Sequence, residues 1–371
     1  MAWGKSGLSL AKMAVADMNE CGLWAAPESP KQQPQRAAFR AQVGLPREPQ
    51  GALPCCENKR MATHLPPGEL LHSAFYRFTP LADPLAVANT LRRLAQGLGG
   101  SIVVAHEGVS GAVAGPRAQV LAFEAMLQVR QRHAGPKEAA LEAALGPAQD
   151  GALVSMAFRH SACHRLPFGR LKVSVKPEIV ALALPATTRP LPAPDERDAS
   201  HLSAPAWRAL LAQNDVVLLD NRNHFEVRLG RFSGALDPQV HNFRDFVAYV
   251  QAHAPAWRAA GRPVAMYCTG GIRCDKTAPW LRSLGLAVWQ LDGGILGYLQ
   301  QQTAEAALPD APAAGPEWQG ECFVFDQRIA LNAELQPTAT TAEQVYDAQQ
   351  PDEAWRLQRA QRLDNSSSPS D

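Results

Sequence analysis

The stretch MYCTGGIRCDKTAPWL (266–281) decides the fold, because it reads as a buried strand, a tight loop and a helix in direct succession. The strand is predicted to end at Cys268, and the helix is predicted to begin near Thr277. The loop between them is made of Thr269, Gly270, Gly271 and Ile272, and it is closed by Arg273. This order of elements aims backbone N–H groups at one point and forms an anion-binding cradle.

Cys268, at the floor of this cradle, is predicted to be a nucleophile, because the loop amides, the helix end and Arg273 all stabilise a thiolate. The alternative is a passive thiol in a glycine turn. Arg273 either faces a bound anion or clamps the loop. Cys274 is either a resolving thiol for an oxidised Cys268 or an inert buried residue. The Cys-x4-Arg spacing is one residue shorter than a phosphate-binding Cys-x5-Arg loop, and it suits a persulfide sulfur.

The chain around this motif, residues 201–305, reads as a parallel α/β domain. Its predicted strands are VVLLD (216–220), GALD (234–237), PVAMYC (263–268) and AVWQLDGG (287–294). Predicted helices cover residues 201–213, the segment from about 242, and residues 277–285. Strands that are apolar throughout and alternate with helices indicate a parallel sheet covered on both faces.

A separate α+β unit is predicted over residues 70–184. Its predicted strands include SAFYRF (73–78), which alternates with period two, and ALVSMAFR (152–159). Its elements follow the order β-α-β-β-α-β, which is typical of a ferredoxin-like (acylphosphatase-like) sandwich. Asp83 is placed to cap the first helix, and Pro84 to occupy its first position. The proline-rich residues 185–200 are predicted to be a linker.

The two ends of the chain differ from these units. Residues 1–65 show no sustained period and are expected to be disordered or a mis-assigned extension, with Met61 as an alternative start. Residues 306–371 are predicted to form a C-terminal extension with an acidic, partly disordered tail. From residue 301 onward there are 4 basic and 12 acidic side chains. A tail of this charge is either ordinary solvated surface or a segment that keeps clear of a polyanion.

The overall composition excludes several classes of protein. The 371 residues are 46% hydrophobic with a net charge of +1, which excludes a wholly disordered chain and a histone-like binder. No apolar run approaches a membrane helix of about 20 residues, so no membrane partner is expected. Seven irregularly spaced cysteines, with no signal peptide, indicate reduced thiols in the cytoplasm. DNA is not expected as a partner, and the oligomeric state stays open.

The C-terminal unit resembles the rhodanese family. The resemblance rests on CTGGIRC (268–274), on the Asp220-Asn221-Arg222 triplet after a strand, and on LDGGI (291–295). With AHEGVSG (105–111) and FGRLKVSVKPEIV (168–180) in the first unit, the chain is similar to the tRNA uridine(34) hydroxylase family. The similarity covers about residues 70 to 332.

This resemblance implies an oxygen-dependent oxidoreductase that 5-hydroxylates the wobble uridine of tRNA, with Cys268 matching the family's catalytic cysteine. It implies tRNA as partner and molecular oxygen as co-substrate, whereas the sequence shows no flavin, haem or iron motif. Two departures are visible. Asp275 stands where the family usually has Glu, on a predicted surface, and no Cys-rich segment follows Cys322. No zinc site is therefore expected.

A basic stretch is the candidate tRNA contact. Residues 151–177 contain no acidic side chain and are either a solvated strand pair or a phosphate-contacting face, with Phe168 placed to stack on a base. If residues 170–176 alternate as a strand, their cations share one face. The candidate contacts are Arg159, Arg165, Arg170, Lys172 and Lys176.

Other candidates have weaker signals. Asp220 and Arg222 are expected to support the loop rather than react. Glu107 and His106 are either second-site groups or turn residues, and Cys163, between two histidines, is not expected to bind a metal.

A sulfurtransferase that works through a Cys268 persulfide remains the alternative function, and a non-catalytic rhodanese-type module is disfavoured by the intact Cys and Arg. One route to hydroxylation is addition of the Cys268 thiolate to the uracil ring, which makes the adjacent carbon reactive toward oxygen.

Overall fold

The protein was analysed as a computed structural model that describes residues 70–128, 153, 156–184, 199–213, 215–306 and 317–365. The predicted N-terminal extension, most of the predicted linker and the last six residues lie outside the described residues.

The first unit is a five-stranded sheet with two helices. Its elements are β1 (Leu70–Phe78), α1 (Pro84–Leu94), β2 (Gly99–Ala105), β3 (Gly108–Pro116), α2 (Arg117–Gln128), β4 (Ala157–Cys163) and β5 (Leu171–Val175). The strand order is β4-β1-β3-β2-β5. All neighbours are antiparallel except β2 and β5. The predicted ferredoxin-like, acylphosphatase-like module is confirmed, although β4 begins later than the predicted 152–159 strand.

Period-two alternation divides this sheet into two faces. One face packs Phe75, Ile102 and Val113 against the helices. Asp83 caps α1 as predicted, because its carboxylate accepts the backbone N–H groups of Leu85 and Ala86 at 3.0 and 2.9 Å. The opposite face points toward the second unit. This face carries Ala74, Tyr76, Ser101, Ala112 and Arg159, all of which line a cavity.

The second unit contains a four-stranded parallel sheet, as predicted. Its elements are β6 (His201–Leu202), α3 (Ala204–Leu211), β7 (Val217–Asp220), α4 (His224–Leu229), β8 (Gly230–Phe232), α5 (Phe246–Ala259), β9 (Val264–Tyr267), α6 (Ile272–Ser283), β10 (Val288–Leu291) and α7 (Gly294–Ala306). The strand order is β6-β10-β9-β7.

Side chains of β9 alternate between two cores. Ala265 and Tyr267 pack with Trp207 on one side. Val264 and Met266 pack with Phe246 on the other. Burial on both faces explains why these strands read as continuous apolar runs.

Three predictions about local structure in this unit were wrong. Residues His201–Leu202, predicted to begin a helix, form strand β6, and helix α3 begins at Ala204. Helix α6 begins at Ile272 rather than near Thr277, because Gly271 turns the chain with φ +101° and caps the helix directly. The predicted GALD strand makes only a single bridge, between Leu219 and Leu236. The short strand that forms instead is β8, which pairs with Trp318–Gly320.

The chain after residue 316 packs back onto the second unit. It forms β11 (Trp318–Gly320), β12 (Cys322–Phe323), β13 (Ala330–Leu331), α8 (Ala342–Val345) and α9 (Pro351–Asn365). Glu353 of α9 is fully buried and accepts hydrogen bonds from Arg228 at 2.8 Å and from His241 at 3.2 Å. Acidic side chains of this segment therefore bind the second unit and do not form only a solvated tail.

Among the described residues, no helix is long and apolar enough to cross a membrane.

Candidate active site

Cys268 lies immediately after β9, beneath the loop that the sequence predicts to be a cradle, and it is only 1% exposed. The backbone N–H of Gly271 donates to its Sγ at 3.1 Å. Burial by itself opposes ionisation. The Cys274 thiol, the charge of Arg273 and the backbone amides of both residues outweigh burial and lower the pKa of Cys268 to about 6. Cys268 is therefore mostly a thiolate at neutral pH, as a nucleophile requires.

The four residues of the loop contact different parts of the protein. Gly271 adopts φ +101°, and a Cβ there would lie 2.8 Å from the hydroxyl of Tyr76. Thr269 donates its hydroxyl to Glu226 at 3.3 Å. Gly270 faces open space, and Ile272 packs beside Phe78, Ala105 and Ile179 of the first unit. The loop is therefore held from both units while one side stays open.

Cys274 is the hydrogen-bond partner of Cys268. Burial, together with the neighbouring Cys268, raises the pKa of Cys274 well above its ordinary value. The thiol of Cys274 thus keeps its proton and donates it toward the Cys268 thiolate. The role of Cys274 as a resolving thiol stays a prediction.

The guanidinium of Arg273 is held by a buried carboxylate. Its Nη2 lies 2.9 Å from Oε2 of Glu226, which is fully buried, and its guanidinium also packs over the ring of Phe243. Of the two roles considered for Arg273, this geometry supports the clamp. Arg273 still stabilises the Cys268 thiolate through its charge and its backbone amide.

Asp220 and Arg222 support the floor of the site. Arg222 donates to both carboxylate oxygens of Asp220, at 2.8 and 2.7 Å, and to the carbonyl oxygen of Gly230 at 2.6 Å. The hydroxyl of Tyr267 donates to Asp220 at 2.7 Å. All of these groups are buried beside β9, the strand that precedes Cys268, and none of them lines the cavity.

Asp275 does not lie on an outer surface, contrary to the sequence expectation. It lines the cavity between the two units. Its Oδ2 accepts the hydroxyl proton of Tyr76 at 2.7 Å, and its Oδ1 lies 2.9 Å from Nε2 of His201. The Asp275 side chain is therefore part of the contact between the units.

Lys276, the next residue, forms a buried ionic network with the first unit. Its Nζ donates to Glu107 and to Glu178, both at 2.6 Å, and to the carbonyl oxygen of Val180 at 2.7 Å. Glu107 also accepts the N–H of Ile179 at 2.8 Å. Of the two roles considered for Glu107, these contacts support the turn carboxylate rather than a second-site acid. Its bond to Lys276 joins the two units.

The cavity between the units has a volume of about 520 Å³. Its walls are the open sheet face of the first unit and the cradle loop, and it extends to the segment after residue 322. At one end Phe168 stacks on His72, with ring centroids 5.8 Å apart. Burial and the nearby Arg328 lower the pKa of His72 to about 3, so this stacked pair is uncharged.

One of the predicted basic residues lines this cavity, and the other four are exposed outside its lining. Arg159 lies inside it, and its guanidinium packs against Gly293 and Gly297 near the loop. Arg165 and Arg170 are exposed on the loop that carries Phe168, while Lys172 and Lys176 are exposed on and just after β5. Lys172 lies opposite Ser101, which lines the cavity. Because β5 spans only Leu171–Val175, Arg170 and Lys176 lie outside the strand, and the predicted shared face holds only for Lys172 and Ser174.

The remaining candidates are not gathered at the thiol. His106 bonds the carbonyl oxygen of Leu81 at 3.0 Å in a turn. Cys163 is buried at the end of β4, and burial raises its pKa. In the described part of the chain, no group of three or more His, Cys, Asp or Glu side chains could hold a metal ion.

Three functional neighbours were missed by the sequence analysis. Tyr76, His201 and Glu178 are far from the motif in sequence. The contacts of Tyr76 and Glu178 arise only when the two units dock, whereas His201 reaches Asp275 from β6 of the same unit. Period two along SAFYRF does place Tyr76 on the face opposite to Phe75, which was the one available signal.

The comparison with family models agrees with the fold of the first unit. A family model described as the UPF0176 acylphosphatase like domain matches residues 71–179. The rhodanese-like domain of an Anabaena sp. protein, solved by NMR, covers 32% of this chain and 90% of its own length, at 17% identity and a TM-score of 0.24. The fold and the cysteine loop together define a rhodanese-like protein with an acylphosphatase-like N-terminal module.

Relatives over the full architecture identify the family. A tRNA uridine(34) hydroxylase of Nitrobacter winogradskyi is 40% identical over 265 residues, which is 70% of this chain and 90% of the relative. Enzymes of the same name from Jannaschia sp. and Deinococcus radiodurans are 38% and 37% identical, over 70% and 74% of this chain and 75% and 79% of their own lengths. The chain belongs to the tRNA uridine(34) hydroxylase family.

Proposed function

We propose that this protein hydroxylates carbon 5 of uridine 34 in tRNA, with molecular oxygen as co-substrate and Cys268 as the nucleophile. One observation supports this most strongly. A thiol with a pKa of about 6 lies beneath a loop that lines a 520 Å³ cleft between two modules. Sequence-specific RNA-binding proteins commonly take single unstacked bases into such clefts.

The thiolate of Cys268 is suited to add to carbon 6 of the uracil ring. This addition moves negative charge onto carbon 5 and the neighbouring carbonyl oxygen, so carbon 5 becomes the atom that reacts with oxygen. Reaction with O₂ gives a hydroperoxide on carbon 5, and loss of the carbon 5 proton with elimination of the thiolate from carbon 6 restores the ring. Reduction of the hydroperoxide O–O bond then leaves the hydroxyl group on carbon 5. Cys268 can supply this nucleophile at neutral pH because its thiolate already accepts the N–H of Gly271.

The reaction needs two electrons beyond those of the uracil, and Cys274 is placed to provide them together with Cys268. One ring C–H, one O₂ and two thiols give one C–OH, one water molecule and one disulfide, which balances atoms and electrons. A cellular thiol reductant must then regenerate the dithiol. The hydrogen bond between the two sulfurs supports this pairing.

The substrate and compartment follow from the same proposal. Arg165 and Arg170 are exposed on the loop that carries the cleft residue Phe168, and Lys172 is exposed opposite the cleft residue Ser101. We expect these three cations to neutralise anticodon-loop phosphates. Because tRNA is the substrate, the protein acts in the cytoplasm.

The sulfurtransferase alternative is not favoured. The matching relatives carry the hydroxylase name, and an acylphosphatase-like module packed against the cysteine loop has no role in small-molecule sulfur transfer.

The decisive experiment is nucleoside mass spectrometry of tRNA from a deletion strain that is complemented with this chain or with Cys268→Ser. We expect 5-hydroxyuridine at position 34 only with the wild-type chain. Equal amounts with both chains would exclude Cys268 as nucleophile, and absence with both would exclude the activity.

A further inference from the structure

Two side chains of the first module meet the cysteine loop from the same wall of the cleft. Strands β1 and β4 pair Ala74 with Arg159 and Tyr76 with Ala157, so Tyr76 and Arg159 are diagonal neighbours. Both line the cavity. The hydroxyl of Tyr76 lies at Gly271, and the guanidinium of Arg159 packs against Gly293.

The hydrogen-bonding capacity of Tyr76 is restricted. A phenol has one proton to donate, and Tyr76 donates it to Asp275 at 2.7 Å. Asp275 cannot return a proton easily, because it also accepts from His201 at 2.9 Å. Any ligand that bonds the hydroxyl of Tyr76 must therefore be a donor.

Arg159 has the opposite character. A guanidinium has five N–H donors and no acceptor. Within the described residues, Arg159 makes no hydrogen bond or ion pair to another protein group. A ligand that bonds Arg159 must therefore be an acceptor.

We infer that Tyr76 and Arg159 read the Watson–Crick edge of the target base and select uracil over cytosine. This inference rests on the proposed function. Uracil presents an N3–H donor beside a carbonyl at position 4, which matches an acceptor beside a donor. Cytosine presents an N3 acceptor and a 4-amino donor. Its N3 would therefore face the Tyr76 oxygen, acceptor against acceptor, and its amino group would face Arg159, donor against donor. The preference comes from leaving the wrong base's groups unpaired.

Three anticodon stem-loop RNAs test this, with uridine, cytidine or 3-methyluridine at position 34. Binding is measured by fluorescence anisotropy and hydroxylation by mass spectrometry, with full-length wild type, Tyr76→Phe and Arg159→Met. We expect the wild type to bind uridine about tenfold more tightly than 3-methyluridine. Tyr76→Phe is expected to shrink that ratio by about 3- to 10-fold. The variant lacks the hydroxyl oxygen that would accept the N3–H of uracil, and its loss leaves space for the methyl group of 3-methyluridine.

Arg159→Met is expected to reduce the preference for uridine over cytidine. Tyr249→Phe serves as the control matched to Tyr76→Phe. Tyr249 stacks on His253 on α5 and does not line the cleft, so its substitution leaves both ratios unchanged. Equal wild-type affinity for the three RNAs, or an unchanged ratio in Tyr76→Phe, would overturn the assignment. Discrimination in binding without hydroxylation by the wild type would instead overturn the proposed function and leave the assignment standing.

Discussion

Tyr76 and Asp275 are 199 residues apart in sequence, yet the hydroxyl of Tyr76 donates to Oδ2 of Asp275 at 2.7 Å. The bond joins the first module to the first turns of helix α6, the helix that begins at the cysteine loop. The acylphosphatase-like module is therefore part of the active site as well as a candidate RNA-binding surface.

Substitution of the nucleophile is expected to abolish activity and preserve the fold. Serine is nearly isosteric with cysteine, but its hydroxyl ionises far less readily, so Cys268→Ser cannot present an anion to the ring. The measurement is single-turnover hydroxylation of a tRNA, beside a thermal melt. Cys163→Ser, which alters a buried thiol that does not line the cleft, is the control and should retain full activity.

The reactivity of Cys268 is expected to follow its lowered pKa. Alkylation by iodoacetamide should be half-maximal near pH 6, reach a plateau above pH 7 and fall as the thiolate is protonated below pH 6. Arg273→Ala should move this midpoint to higher pH, because the charge of Arg273 lowers the pKa. An unchanged midpoint would mean that the loop amides and Cys274 lower the pKa of Cys268 without a contribution from Arg273.

Arg273→Ala also leaves the buried Glu226 without its partner, so a second variant separates the two effects. In Arg273→Ala/Glu226→Gln the orphaned carboxylate is removed. We expect the double variant to recover melting temperature and to keep the raised midpoint.

Cys274→Ala is expected to be milder than Cys268→Ser and to depend on external thiol. A small thiol such as glutathione can replace the second electron donor, so activity should approach the wild-type level at high thiol and fall when thiol is withheld. The lost S–H···S bond should also raise the pKa of Cys268. Complete loss at every thiol concentration would instead make Cys274 a catalytic partner in the addition step.

The Lys276 network is expected to carry much of the stability between the modules. Lys276→Met leaves two buried carboxylates, Glu107 and Glu178, without their cation and should reduce the free energy of unfolding by about 3–5 kcal/mol. The measurement is urea unfolding followed by tryptophan fluorescence. A triple variant, Lys276→Met with Glu107→Gln and Glu178→Gln, should regain part of the loss, whereas equal destabilisation would show that packing dominates.

Neutralising the rim of the cleft is expected to weaken tRNA binding without changing the thiol. The triple variant Arg165→Gln, Arg170→Gln, Lys172→Gln should lower affinity and reduce the salt slope by up to about one unit for each lost phosphate contact. The alkylation rate of Cys268 should stay constant. A control triple variant that substitutes glutamine at Arg92, Arg93 and Arg258, none of which lines the cleft, should bind tRNA normally. Unaltered affinity in the rim variant would exclude this border as the tRNA face.

Local patterns made most of the fold predictable. The apolar run that ends at Cys268, the adjacent glycines and the alternating SAFYRF segment each reflect a short-range rule, and each element is found where it was predicted. The start of α6 was misplaced because Asp275 and Lys276 are polar and read as loop. Their polarity is satisfied by the first module, through Tyr76 and Glu107, and such partners are invisible to a local pattern.

The candidate site also combines residues that a local pattern predicts with contacts that it does not. The sequence pointed to Cys268 and Arg273, because a strand, a loop and a helix bring them together within six positions. The carboxylate that holds Arg273 comes from α4, and the acceptor at the open side of the loop comes from β1. No spacing rule connects those strands and helices, so these contacts required the folded chain.

The docking of α6 has a consequence for inheritance. Consecutive residues Asp275 and Lys276 each bond a side chain encoded about 170 to 200 codons upstream, at Tyr76 and Glu107. A recombination event that exchanges the first module between diverged relatives would separate partners that have drifted together. We expect viable chimeras only when both halves of each pair come from one parent, so the two modules should pass through lineages as a single heritable unit.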